Sequence, residues 1–352
     1  MKTGQIHAHR LDAIERFDFR DLHPRLKFGT ASDRYGGWIG QIYAEGRYPV
    51  STRKRKVGGS SLEERTLPVE SVAEYFEHFS ILEIDFTYYR PLLDAENMPA
   101  PNYHVLAQYA EHAPPAARFL LKAPQQFTSP VLRRSSGGRV EHVPNDLCLD
   151  IDAYVTTFLE PAADLLGERL AGVIFEQPYQ RVSDTPPTDM HIGELDIFFS
   201  EVPDLTQTHL EVRSPHLLTP PFFDWLDTVG LGFTFSHWTW LPPIIDQWKK
   251  TGGRFTAANR TAVIRLLTPL RMSYEESFRL AFPFEAPTPE LAGTPEAKRM
   301  IDETTALAYQ ALDQEVTLNV ITNNRAFGNS PALTQAIAHR FLDFADRKNA
   351  YG

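Results

Sequence analysis

The chain has 352 residues, 42% apolar and 23% charged, a composition that supports a large buried core and excludes global disorder. Its formal net charge of −10 argues against wholesale nonspecific nucleic-acid binding, which depends on neutralising phosphates with Lys and Arg. Cys148 is the only cysteine, so an internal disulfide and a cysteine-rich zinc site are both excluded. No secretory leader and no apolar run long enough to span a bilayer occurs, so a cytoplasmic location without membrane contact is expected.

Residues 1 to 25 carry no strand period and are expected to form an N-terminal extension outside one domain running from 26 to 352. The first strand is Leu26 to Thr30. A long polar loop, 36 to 68, follows and contains the basic run Arg53-Lys54-Arg55-Lys56 before Gly58-Gly59, expected to be solvated, with an arm touching an anionic partner as the alternative. Val69, Val72, Ala73, Phe76 and Phe79 then recur at helical spacing.

Residues 81 to 87 read as the second strand, 103 to 112 as a helix stopped by Pro114-Pro115, and Phe119 to Pro124 as the third strand. The Ser-, Gly- and Arg-rich stretch 128 to 145 reads as a loop. A helix is expected over 151 to 166, broken or kinked at Pro161. Strands four to eight are Gly172–Glu176, Thr208–Arg213, Gly232–Ser236, Ala262–Leu267 and Thr317–Thr322, each followed by a helical stretch. Eight strands, each followed by a helix, is the count of a (β/α)8 barrel, a TIM-type α/β fold, here with long βα loops. No Gly-x-Gly-x-x-Gly follows the first strand and no Gly-x-x-x-x-Gly-Lys-Ser/Thr occurs, so the common nucleotide loops lose support.

Several blocks resemble the domain of unknown function 72 (DUF72, YecE-like) family over roughly residues 26 to 344. Gly29-Thr30-Ala31-Ser32 with Trp38 is similar to its Gly-Thr-Ser-Gly-Trp block. Leu82-Glu83-Ile84-Asp85-Phe86-Thr87-Tyr88-Tyr89-Arg90 is similar to Val-Glu-Ile-Asn-Ser-Thr-Phe-Tyr-Arg. Phe119 to Pro124, Glu211-Val212-Arg213, Ile264-Arg265-Leu266 and Asn323-Asn324-Arg325-Ala326-Phe327-Gly328 resemble four further blocks, in the same order. The resemblance implies a barrel, no established reaction and no assigned cofactor. The chain departs from the pattern at Asp85 (Asn in the family), Glu176 (Gln), Ser236-His237 (Asp) and Leu267-Thr268 (His-Gly).

Period-two alternation turns Leu82, Ile84 and Phe86 toward the helices and Glu83, Asp85 and Thr87 into the barrel. The same count turns Lys122, His209, Glu211, Arg213 and Arg265 inward. Active sites of this fold lie at the C-terminal strand ends. That mouth would hold the cations Lys122, Arg213 and Arg265, the acids Asp85, Glu176 and Glu211, and the amides Asn323 and Asn324. Thr30, Tyr88, Arg90 and His237 lie at or just beyond strand ends and join the ligand-binding set. Three cations at one mouth suit a phosphate or carboxylate, so the expected partner is a small anionic ligand or a phosphodiester end, nucleic acid being only weakly supported.

Glu211 and Lys122 are the candidate catalytic pair, an acid that stays ionised beside cations and a lysine that desolvation brings toward neutrality. Glu83, deeper, is expected to serve as a counter-ion to Lys122, and Glu211 to pair with Arg213 or Arg265. One alternative is a metal-dependent phosphodiesterase or isomerase using Asp85, Glu176, Glu211 and His237. Against it stand the neighbouring cations and the lack of a paired-histidine motif, and neither metal nor cofactor is expected. A further alternative is a barrel that binds a ligand or partner without catalysis. Trp38, Tyr88, Tyr89, His237, Trp238 and Trp240 either roof the barrel or stack on a sugar or base, and the 269–295 insertion is a lid or a packing element.

Overall fold

The computed structural model describes residues 3–57, 59–136, 139–203 and 208–351; Gly58, Gly137 and Gly138, which fall in the two expected loops, lie outside the described residues. Eight parallel strands are β1 (Leu26–Ala31), β2 (Ile81–Ile84), β3 (Phe119–Lys122), β4 (Leu170–Gln177), β5 (Thr208–Val212), β6 (Gly232–His237), β7 (Thr261–Leu266) and β8 (Thr317–Thr322). They pair in chain order and β8 returns to β1, closing a barrel with helices between the strands. The fold is the expected (β/α)8 barrel.

Both faces of these strands are covered, which is why they read as near-continuous apolar runs. Outward residues such as Phe28, Leu82, Phe175, Leu210 and Phe235 are buried in the main core against the helices. Inside, Ala31, Ile81, Leu120, Ile174, Val263 and Ile321 form a separate apolar plug. Two residues further along five of these strands, the inward position becomes Glu83, Lys122, Glu176, Arg265 and Asn323. That single step from an apolar layer to a charged one creates the floor of the mouth.

Close approach inside the barrel dictates two glycines. A Cβ on Gly29 would lie 2.1 Å from the Ile81 carbonyl oxygen, and one on Gly232 would lie 2.0 Å from the His209 ring. His209 is thereby seated inside the barrel, with Nε2 3.1 Å from the Thr261 hydroxyl, and burial pushes its pKa down to about 4.

Three regions differ from the sequence expectation. The N-terminal extension is a helix, Thr3–Glu15, followed by a turn, and it puts Ile14, Phe19 and Leu22 into the main core. The polar loop after β1 carries an antiparallel hairpin, Ser51–Val57 with Ser60–Thr66. The 128–145 stretch carries a second hairpin, Val131–Ser136 with Arg139–Pro144. The 269–295 insertion is built from the helices Tyr274–Ala281 and Pro289–Ala292. Phe278, Ala281, Phe284 and Leu291 of that insertion share a small core with Val57 of the first hairpin. Among the described residues no helix is long and apolar enough to cross a membrane.

The break expected at Pro161 is a local change of pitch. The run 151–166 continues through a π-helical segment, Val155–Leu159, that ends two residues before Pro161. Pro161 has no N–H to offer the Thr157 carbonyl. That carbonyl instead accepts from Leu92 N–H at 3.0 Å and Leu93 N–H at 2.9 Å, fastening the segment after β2 to this helix.

Candidate functional site

A cavity of about 760 Å³ opens at the C-terminal ends of the strands. Its floor is an ion-pair network. The Arg265 guanidinium forks onto Glu83, with Nε to Oε2 at 2.8 Å and Nη2 to Oε1 at 2.5 Å. Its Nη1 also meets Glu211 and lies 3.2 Å from Glu176 Oε2. Lys122 Nζ is 2.6 Å from Glu176 Oε2, Arg213 Nη2 is 2.8 Å from the same oxygen, and Arg213 Nε is 3.3 Å from Glu211 Oε1. The Ser236 hydroxyl donates to Glu211 Oε1 at 2.8 Å.

Three cations thus face three carboxylates, and the floor is close to neutral. Glu83 pairs with Arg265 rather than with Lys122, while Glu211 pairs with both Arg213 and Arg265. Burial alone would raise the Glu176 carboxyl, yet Arg213, Lys122 and Arg265 together hold it well below the usual carboxylate range. Burial pushes the Lys122 ammonium down, with Glu176 opposing. Removing one member of such a buried group costs about 3–5 kcal/mol, because a charge is left without its partner.

The remaining expected residues divide. Asp85 and Tyr88 line the cavity, as do Asn323 and Asn324. Glu211 lies beneath the floor, fully buried. Thr30 faces the other way, with its N–H and hydroxyl on Tyr75 Oη at 2.9 and 3.0 Å. His237 turns outside the mouth, its Nδ1 2.8 Å from the Thr268 carbonyl and its Nε2 3.7 Å from Glu296, and burial pushes its pKa down to about 4. Arg90 is exposed beyond the rim. The strand alternation fails after Ile84 because Phe86–Tyr88 is a 3-10 turn, so Thr87 does not point into the barrel and its hydroxyl latches the Lys122 carbonyl at 2.7 Å.

Asp85, Glu176, Glu211 and His237 therefore do not converge on one point. Among the described residues no group of three or more His, Cys, Asp or Glu side chains is placed to hold a metal ion.

The rim was not read from the sequence. Arg53, Lys54 and Arg55 of the first hairpin line the cavity, together with Arg34 and Arg325. Arg53 and Arg55 share the buried Glu64, at 2.8 and 3.1 Å, and Arg55 also donates to the Tyr274 hydroxyl at 2.8 Å. The basic run is therefore a wall of the site rather than a free loop. The Arg325 guanidinium lies 4.6 Å from the Tyr274 ring centroid, and its buried Nε has no acceptor. The Asn323 side chain accepts from Arg325 N–H at 3.1 Å and fixes the turn that presents it. Asn324 accepts from Trp38 Nε1 at 3.1 Å and from Ser330 N–H at 2.8 Å, which gives both residues structural work.

Four aromatic rings at the mouth carry cations on a face, Phe278 among them with Arg55 Cζ 4.7 Å from its centroid. Lys122 Nζ sits 3.8 Å from the Tyr88 centroid and Arg213 Cζ 4.7 Å from that of Trp238, in addition to Arg325 on Tyr274. Counting the lining, eight Lys and Arg side chains face four carboxylates, in a chain whose net charge is −10. The site concentrates positive charge against the sign of the whole molecule.

The chain matches the family model described as a protein of unknown function, DUF72, over residues 28–349. Among solved structures it is similar to a DUF72 family protein from Thermotoga maritima, 16% identical with a TM-score of 0.51, the match covering 91% of this chain and 99% of that one. It is also similar to one from Enterococcus faecalis, 13% identical with a TM-score of 0.52, covering 92% and 99%. No curated protein matches the chain. At such identities the structural likeness carries the fold and no reaction. The residue blocks, the closed barrel and the family match agree, and the chain belongs to the DUF72 family of proteins of unknown function.

Proposed function

We propose that this barrel binds a small anionic ligand, bearing phosphate or carboxylate, in the cavity at its C-terminal mouth. The observation that carries this reading is the excess of cationic side chains around the cavity, and above all Arg325, whose buried Nε lacks an acceptor. Arginine forks suit two oxygens of such a group, and a lysine supplies a point charge. The floor cations contribute less than their number suggests, because Glu83, Glu176 and Glu211 already neutralise them. The attraction is assigned to the rim, to Arg325 and Lys54.

Turnover, where it occurs, is assigned to Lys122. Its ammonium sits at the cavity floor, and burial lowers its pKa, with Glu176 opposing, a direction that favours proton exchange. Glu211, placed behind the floor and bonded to Arg265 and Ser236, acts on that chemistry by positioning the network. A barrel that binds without catalysis is the competing reading, favoured by a floor whose charges are already matched.

Calorimetric titration with inorganic phosphate tests the binding. The wild type is expected to bind at one site, and Arg325→Gln with Lys54→Gln to weaken binding at least about tenfold, the equivalent of roughly 1.4 kcal/mol. No binding to the wild type, or equal binding to the double variant, overturns the proposal. Turnover of phosphoesters that disappears in Lys122→Gln, while phosphate binding persists, would favour the enzyme; binding without turnover would favour the non-catalytic barrel.

A further inference from the structure

The unpaired groups in the cavity are not all cations. Asp85 lines the same space, half-buried, and among the described residues its carboxylate has neither a hydrogen-bond donor nor an ion-pair partner. This distinguishes it from Glu64, Glu83 and Glu176, the other acids of the lining, each of which is held by arginine or lysine. A ligand that is only an anion would meet this carboxylate with repulsion. One that carries neighbouring hydroxyl groups would donate to it, since a carboxylate is an acceptor with room for two donors.

The aromatic residues narrow the class further. Tyr88, Trp238, Tyr274 and Phe278 each hold a cation over one face, while Tyr89, also in the lining, is exposed and among the described residues carries none. The four engaged faces hold Lys122, Arg213, Arg325 and Arg55 in place. The cavity thus offers unmatched cations, an unmatched carboxylate, and Tyr89 as its exposed ring without a cation.

We infer that the ligand is a phosphorylated sugar or polyol, its phosphate on the Arg325 and Lys54 side of the cavity and its hydroxyls on Asp85. The assignment rests on the anion-binding reading above and adds the hydroxyl-bearing half of the ligand. A cavity of about 760 Å³ lies within the ordinary range for small-molecule sites. Asp85 acts here as a specificity residue: it weakens the binding of bare anions and favours those that bring donors, since leaving a half-buried carboxylate unmatched beside a ligand costs more than the bond itself returns.

The test is calorimetric titration of the full chain with inorganic phosphate, ribose, ribose 5-phosphate and adenosine monophosphate at fixed ionic strength. Ribose 5-phosphate is expected to bind at least about tenfold tighter than inorganic phosphate. In Asp85→Ala that preference should shrink to about threefold or less, with inorganic phosphate binding as well as before or better. Arg325→Gln should weaken both ligands. Equal affinity for phosphate and ribose 5-phosphate, or a preference that survives Asp85→Ala, overturns the sugar assignment and leaves the anion site standing. Binding of ribose alone as tight as that of ribose 5-phosphate overturns the phosphate half. Adenosine monophosphate binding more tightly than ribose 5-phosphate overturns the class in favour of a nucleotide. Thermal melts of both variants separate loss of binding from loss of fold.

Discussion

Asp33 is the residue behind the site whose chemistry is most exposed to pH. It follows Ser32, which lines the cavity with a φ of +72°, a conformation that a side-chain-bearing residue holds only when its surroundings impose it. One oxygen of the buried Asp33 carboxyl accepts from the Tyr109 hydroxyl at 2.7 Å, and the other has no partner. Burial raises its pKa from 3.8 to about 6, with the Tyr109 bond opposing. A folded value above the unfolded one means that the fold favours the neutral acid. The contribution to stability is complete below about pH 4 and is lost as pH rises through about 6, on the order of 3 kcal/mol in all. Asp33→Asn keeps an acceptor for Tyr109 and cannot ionise. Urea unfolding should therefore find the variant more stable than wild type by about 1–3 kcal/mol at pH 8 and little different at pH 4; the same difference at both values would show that Asp33 does not titrate in this range. Sequence periodicity reached Glu83, Lys122, Glu211 and Arg265, and strand-end position reached Glu176, because all lie on strands with a fixed period. It could not reach Asp33 or Arg325, which sit on turns where no period applies. The one signal for Arg325 was its position directly after the Asn323-Asn324 pair.

At the scale of elements, the eight strands were legible because each carries a short apolar run bounded by polar residues. The hairpin over the mouth was not, for a physical reason. Its strands, Ser51–Val57 and Ser60–Thr66, carry only Val57 and Leu62 as apolar residues, so the alternation that marks a half-buried strand is missing. What holds it is cross-strand charge on one face: Arg53 lies opposite Glu64 in register, and both Arg53 and Arg55 are ion-paired to that carboxylate. Pro161 was legible as a helix breaker, but not its consequence, because the acceptor it frees is used by a segment sixty-odd residues earlier in the chain. Pro161→Ala would restore an N–H that competes for the Thr157 carbonyl. The amides of Leu92 and Leu93 should then exchange with solvent about tenfold faster, equivalent to roughly 1.4 kcal/mol of lost local protection, while the amides of β3 and β4 keep their rates. Unchanged exchange at Leu92 and Leu93 would mean that this carbonyl does not fasten the segment.

For the molecule as a whole, the sign of the site opposes the sign of the protein. An anion approaching from a distance meets the field of a body carrying −10, and only within the cavity does it meet the excess of Lys and Arg. The two fields have different ranges, and salt removes the longer one first. At about 10 mM ionic strength the screening length is roughly 30 Å, so the overall repulsion reaches well beyond the mouth; at about 100 mM it falls to roughly 10 Å, and the rim cations still act across the cavity. The association rate of ribose 5-phosphate, followed by stopped-flow fluorescence of Trp238 at the cavity wall, should therefore rise or hold level from 10 to 100 mM salt. Beyond that, as the screening length approaches roughly 3 Å near 1 M, it should fall. A rate that falls steadily over the whole range would mean that the local positive field governs the approach from the outset. In that case the acidic surface plays no part in which anions reach the barrel, and discrimination rests entirely on the contacts made inside it.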